Sequence, residues 1–176
     1  MEVFGENVSI KVSPGGGYND VGYVLHSAVR EYFLLTFLVQ RMPLQETLDT
    51  FRYFLSEVDK LKPSYVTLVR YSAGLDPVNR GTDHDVVESY GPVLKNAKVV
   101  VNGGVTPEEG AGLVAEAKVD VISFGMLFIS HPDLAKRVKN GKPLDNPVQF
   151  GHLYGGQNGG SGDTNVGYTD YPEATY

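Results

Sequence analysis

The stretch NRGTDHDVV, residues 79–87, sets His84 between Asp83 and Asp85. A histidine beside carboxylates can serve as a general base near neutral pH, because imidazole is the side chain whose charge changes in that range. The same residues have a structural use, since Thr82-Asp83 can cap a following helix through a side-chain oxygen. Lys11, near the end of the run VSIKV, is placed to stabilise a developing enolate oxygen if it is removed from water. Arg70-Tyr71 end a second such run, where the Tyr71 phenol can donate to a carbonyl or pack at a strand terminus. Lys11, Tyr71, His84 and Asp85 are therefore the catalytic candidates. His131 precedes Pro132 at a helix start and reads as structural, and His26 and His152 stand alone. Four His without paired spacing and no Cys give no metal site, no thiol nucleophile and no disulfide framework. Gly15-Gly16-Gly17 is followed by no Gly-Lys-Ser/Thr and is not a nucleoside-triphosphate loop.

The elements that must position these groups alternate in type. Short β-rich runs occur at Val8–Val12, Tyr65–Arg70, Lys98–Val101 and Val119–Phe124, each followed by a turn and helix-like sequence. Leu44, Leu48, Phe51, Leu55 and Val58 recur at helical spacing between Pro43 and Pro63 and predict an amphipathic helix over the sheet. In VVVNGGVTPEEGAGLVAEAK, Thr106 reads as N-cap, Pro107 as first helical residue and Glu109 as the third member of a capping box. A further helix is expected after Asp133, ending at Asn140-Gly141. Residues 1–143 thus form an α/β domain of four β/α units, and 144–176, with GGQNGGSGD, read as a loop-rich, partly mobile tail. Four units are half of a (β/α)8 TIM barrel, whose full size is roughly 250 residues. Half a barrel has two bare edge strands, and closure by homodimerisation is the expected remedy.

Composition narrows the ligands. With 15 basic and 21 acidic side chains among 176 residues, the net charge of −6 gives no clustered cationic surface for nucleic acid or an anionic membrane. The most apolar run, Tyr32 to Val39, is far short of the roughly 20 residues that span a bilayer. The stretch MEVFGENVSIKV has neither the basic start nor the apolar core of a signal peptide, so a cytoplasmic protein acting on a small molecule is expected.

The blocks VSIKVSPGGGYND, YVTLVRYS, KNAKVVVNGGVTPEEG, VDVISFGMLFISHPDLAKRVKNGKPLDN and GYTDYP, in that order and spacing, resemble the C-terminal half of the old yellow enzymes. These are FMN-dependent ene-reductases that include oxophytodienoate reductases and fungal relatives. The resemblance implies a barrel with its site at the C-terminal ends of the strands. It places Lys11 where the family has an Arg on the pyrimidine edge of the flavin, keeping the charge without the two-pronged donor. It places the family's phosphate on the turn Asn102-Gly103-Gly104 and on a Gly-Arg pair matched here by Gly125-Met126, so the glycines are kept and the cation is not. Tyr154 matches an aromatic beside the flavin ring. The groups that bind the substrate carbonyl and the Tyr proton donor lie in the family's N-terminal half, which this sequence does not contain.

The sequence also departs by an addition. Between Gly22 and Met42, where the family passes from strand to helix in a few residues, stands the apolar segment Tyr23–Arg41. It is a cover for a barrel edge, a dimer contact or a pocket wall, or else an extra loop-helix or translated intron. Three function classes follow. The first is a flavin-independent isomerase, epimerase or cyclase that orients a conjugated enone or polyene natural-product intermediate and polarises one carbonyl, with no cofactor. The second is an FMN-dependent, NAD(P)H-driven ene-reductase. The third is a non-catalytic interaction protein or degenerate gene product. The missing half and Met126 favour the first.

Overall fold

The computed structural model describes residues 7–17, 41–77, 79–155, 163 and 165–176, and the segment 23–40 lies outside them. The chain divides into two compact units, Met1–Ser123 and Phe124–Tyr176. In the first unit four strands, β1 (Ser9–Val12), β2 (Tyr65–Val69), β3 (Lys98–Asn102) and β4 (Val121–Ser123), form one sheet in sequence order. All three pairings are parallel, with registers starting at Ser9↔Tyr65, Tyr65↔Lys98 and Val100↔Val121. The helices α1 (Leu44–Lys60), α2 (Val86–Tyr90) and α3 (Pro107–Ala115) are the crossovers.

Strand alternation sorts the side chains into two faces. Ile10, Val12, Val66, Leu68, Val99, Val101 and Ile122 point to one side and share a core with Leu48, Phe51, Leu55, Val86, Val87, Tyr90 and Leu113. Burying these β-branched and aliphatic side chains against the helices is what holds the layers together. Lys11, Thr67, Val100 and Val121 are register partners on the opposite face, which in a closed barrel is the interior. The expected helical face of α1 is present, with Leu55 fully buried and Leu48, Phe51 and Val58 packed against the core. Leu44 is the exception and is exposed, because it sits in the first turn beyond the reach of the sheet.

Capping repeats the sequence expectation at one helix and corrects it at another. Thr106 Oγ1 accepts from Glu109 N at 3.2 Å and opens α3. Glu109 does not complete the expected box; its carboxylate accepts from Arg70 Nη1 at 2.8 Å. At α2 the cap is Asp85, whose Oδ1 accepts from Val87 N at 2.9 Å and Glu88 N at 3.0 Å, and not Thr82-Asp83. The helix starts two residues later than an Asp83 cap would place it, and Thr82 is engaged elsewhere, its N–H donated to Gly15 O and its hydroxyl to Met42 O.

The second unit contains α4 (Met126–Ser130) and α5 (Leu134–Lys139), with a 3-10 segment at Phe150–Gly155. Helix α5 matches the segment expected after Asp133; α4 follows β4 after two residues and is not among the helices expected from the sequence. The division after Ser123 differs from a boundary at residue 143, and the end of the supposed tail is tied down. Arg137, 3% exposed, pairs with Asp133 at 2.8 Å and donates to Pro143 O and Pro172 O. Asp133 also accepts from Ala174 N at 2.8 Å and Tyr176 OH at 2.6 Å. Main-chain carbonyls and a buried ion pair thereby order a segment whose composition alone reads as loose. Among the described residues no helix is long and apolar enough to cross a membrane.

Candidate functional site

Three loops meet at the C-terminal ends of the strands in the first unit: 13–17 after β1, 70–82 after β2 and 103–106 after β3. The first two are locked together around Asp76. Its carboxylate, 5% exposed, accepts from Tyr71 OH at 2.9 Å, Arg80 N at 2.9 Å and Gly81 N at 2.8 Å. Burial works to raise the Asp76 pKa, yet the bonds from Arg80, Gly81 and Tyr71 hold it below the ordinary carboxylate value. Tyr71 is shifted the other way, first by burial and then by its bond to Asp76, so the phenol keeps its proton. Glycines make the approach possible: a Cβ at Gly15 would stand 2.9 Å from Tyr71 Cβ, and one at Gly17, φ +97°, 2.7 Å from Asp76. Arg41 donates to Asn79 from the far side of the same loop.

The catalytic candidates are in the same unit, but three of the four are engaged. Tyr71 spends its hydroxyl proton on Asp76. Asp85 caps α2. His84 Nδ1 lies 2.8 Å from Thr82 O and Nε2 2.7 Å from Tyr90 OH. A carbonyl only accepts, so Nδ1 carries the hydrogen and, in the neutral ring, Nε2 accepts from Tyr90. Tyr90 is fully buried, with its pKa pushed up to about 12 by burial. The Tyr90→Phe substitution is expected to remove the partner of His84 Nε2 and lower stability by about 1 kcal/mol. Urea midpoints and the ring-nitrogen NMR shifts of His84 check it; an unchanged Nε2 shift contradicts the bond. Lys11 remains exposed on the face away from the core. His131, expected to be structural, is 1% exposed and accepts from Asn146 N at Nε2, 3.1 Å away, in the second unit.

The turn after β3 differs from the other two. Gly103 and Gly104 have φ of +101° and +63°. A Cβ at Gly103 would come within 3.2 Å of Arg70 O, whereas at Gly104 no atom lies within 4 Å of where it would stand. Helix α3 begins three residues on, at Pro107, which has no N–H, and the Glu109 amide is taken by Thr106 Oγ1 and the Gly110 amide by Thr106 O, so its first turn offers the Glu108 amide. Arg70 holds the underside: its N donates to Asn102 O at 2.8 Å. Asn102 Nδ2 donates to Ser123 O at 2.9 Å, joining β3 to β4 at the same level. Gly125 and Met126 open α4 in the second unit, with the Met126 side chain exposed. Tyr154 falls in the 3-10 segment. Among the described residues no group of three or more metal-ligating side chains is assembled.

The chain is 31% identical over 122 residues to a 12-oxophytodienoate reductase-like protein of Solanum lycopersicum, covering 68% of this chain and 29% of that one. It is 35% identical over 77 residues to a putative 12-oxophytodienoate reductase 3 of Oryza sativa subsp. japonica, covering 44% of this chain and 18% of that one. Part of this chain is an old yellow enzyme-family fragment. The old yellow enzyme of Trypanosoma cruzi superposes on 96% of the chain with a TM-score of 0.67 at 22% identity, over 35% of its own length. Morphinone reductase does so on 98% with a TM-score of 0.67 at 21% identity, over 38% of its length. These neighbours are TIM barrels, and the parallel four-stranded sheet covers only part of one. The chain therefore spans less than a third of the curated relatives' length and less than two fifths of the structural ones. No family model matches.

Sequence reasoning missed Asp76, Tyr90 and the Arg70–Glu109 pair. Gly15, Gly17 and Gly81 were the available signal for Asp76 and Tyr71, since glycines on two separate loops imply a close approach.

Proposed function

We propose that this chain supplies the flavin-holding half of an old-yellow-enzyme-type ene-reductase site, with FMN as cofactor and a conjugated enone as substrate class. The observation that carries it is the Gly103-Gly104 turn: two positive-φ glycines at the end of β3, open at Gly104 and leading into the N-terminus of α3. Its open side leaves room for a phosphate monoester, which the main-chain amides of the turn and that of Glu108 would hold. Lys11 would hold the pyrimidine edge of the ring system, as the resemblance assigns. Bound FMN would supply hydride transfer to an activated double bond. The chain's own residues anchor and orient; Tyr71 and Asp76, bonded to each other, hold the β2 loop against Gly15 and Gly17 of the β1 loop. The named relatives are reductases, which favours redox chemistry over the cofactor-free expectation.

The isomerase or cyclase reading needs a donor or base free to act, and the engagement of Tyr71, His84 and Asp85 works against it. The test is retention of flavin. Purified protein is incubated with excess FMN, passed through gel filtration and scanned for the visible flavin band, with oligomer size read from the same column. Expected is a band near one FMN per chain. A colourless protein that converts a conjugated polyene or enone to an isomer of unchanged mass would overturn the proposal in favour of the isomerase. The elution volume reports whether the protein is a dimer, which closure of an eight-stranded barrel by two copies requires.

A further inference from the structure

The resemblance places the phosphate's cation at Met126, which carries no charge, so a phosphate on the Gly103-Gly104 turn would need its counter-charge from elsewhere. We infer that Arg70 supplies it, from the end of β2, and that Glu109 holds the guanidinium until a phosphate takes its place; this rests on the flavin reading above. Three contacts carry the inference. The Arg70 main chain lies directly beneath the turn: a Cβ at Gly103 would stand 3.2 Å from Arg70 O, 3.4 Å from its N and 3.5 Å from its Cβ. The Arg70 amide donates to Asn102 O at 2.8 Å, fixing the residue against the start of the turn. The guanidinium reaches the first turn of α3, where Nη1 donates to Glu109 Oε1 at 2.8 Å. Glu109 is the third residue of that helix, so its carboxylate already occupies the end at which an anion is favoured.

The pair is built to exchange. Its side chains are 37% and 42% exposed, and a half-exposed pair of this kind adds little stability because water competes for both charges. A phosphate oxygen accepts from a guanidinium as well as a carboxylate does, and the planar fork can serve two oxygens at once. Arrival of a dianion at the helix N-terminus would repel Glu109 and leave Arg70 to turn to the stronger acceptor. The consequence is discrimination between FMN and riboflavin, which differ only in the phosphate.

Dissociation constants for FMN and riboflavin, measured by fluorescence quenching, test it, with thermal midpoints recorded for every variant. Arg70→Met is expected to weaken FMN about 10-fold or more while leaving riboflavin unchanged, since a charge-assisted bond is lost to one ligand only. Arg70→Lys is expected to restore part of the loss. Glu109→Gln is expected to tighten FMN by about 3-fold, and that gain is expected to vanish in the Arg70→Met background, as a double-mutant cycle requires of coupled groups. An unchanged FMN-to-riboflavin ratio in Arg70→Met, with a lowered thermal midpoint alone, would show the pair to be a structural tie and overturn the inference while leaving the flavin reading intact. Persistence of the Glu109→Gln gain without Arg70 also overturns it. Failure of the unsubstituted protein to bind either flavin overturns the flavin reading and this inference together.

Discussion

Replacing Asp59 by Ala is expected to lower the stability of the first unit by about 3 kcal/mol, because one carboxylate holds a whole segment of main chain. Asp59 is 4% exposed in the last turn of α1. Oδ1 accepts from Asn96 N and Ala97 N at 3.0 Å each, and Oδ2 from Lys95 N at 3.0 Å and Asn96 Nδ2 at 2.9 Å. A negative charge at a helix C-terminus opposes the helix dipole, so the residue is there for the segment and not for the helix. That segment leads into β3 and carries Leu94 and Ala97 into the core. Alanine leaves its amides without an acceptor, and Asn offers one oxygen and a misplaced donor in exchange. Burial acts to raise the Asp59 pKa, but the bonds from Ala97, Lys95 and Asn96 keep it below the ordinary carboxylate value. The folded value is therefore the depressed one. Its contribution is present in full above the unfolded value and is lost as pH falls through the folded value. Urea midpoints of both proteins between neutral pH and pH 3 should show the gap narrowing on the acid side. A gap that holds constant would contradict the assignment.

Gly81→Ala is expected to cost about 2 kcal/mol or more, by overpacking at a point where nothing flexible can yield. The added methyl would overlap the Tyr71 ring at Cε2 and stand 2.7 Å from both Tyr71 Cδ2 and Gly15 O. Relief requires moving either the ring, whose hydroxyl is fixed on Asp76, or the β1 loop, whose Gly15 O accepts from Thr82 N at 2.8 Å. The damage should thus spread from loop 70–82 to loop 13–17. Gly74→Ala, with no atom within 4 Å of its Cβ position, is the matched control. Comparison of thermal midpoints and of amide exchange at residues 13–17 checks the pair. Equal midpoints for the two variants would mean that the loops are not clamped through Tyr71.

Strand positions, the amphipathic face of α1 and the Thr106 cap were legible because each depends on residues close together in sequence. The glycine turn was legible through its family resemblance. The carboxylates that organise the loops were not. Asp59 and Asp76 look like any surface acid in the sequence, and their importance lies in which amides the fold brings to them. His84 and Asp85 illustrate the reverse. Their types and spacing fit acid-base chemistry, but a helix start two residues further on than an Asp83 cap uses Asp85 as the cap, and His84 meets the Tyr90 hydroxyl. Glu109 has the spacing of a local capping box, but the long-range cation at Arg70 outcompetes the main-chain amide for it.

The sequential strand order has a consequence for how much chain the scaffold can carry. Between β1 and β2 lie residues 13–64, and between β3 and β4 only residues 103–120. Even if both connections were flexible chain, closure entropy grows with the logarithm of length, so the longer one costs only about 1 kcal/mol more. The β1–β2 register nevertheless runs unbroken from Ser9↔Tyr65 to Val12↔Leu68. A crossover that returns to the neighbouring strand threads past no other strand, so residues added to it lengthen the connection without competing for a place in the sheet. The first connection is thus the place where this scaffold can take on new sequence at the smallest thermodynamic penalty.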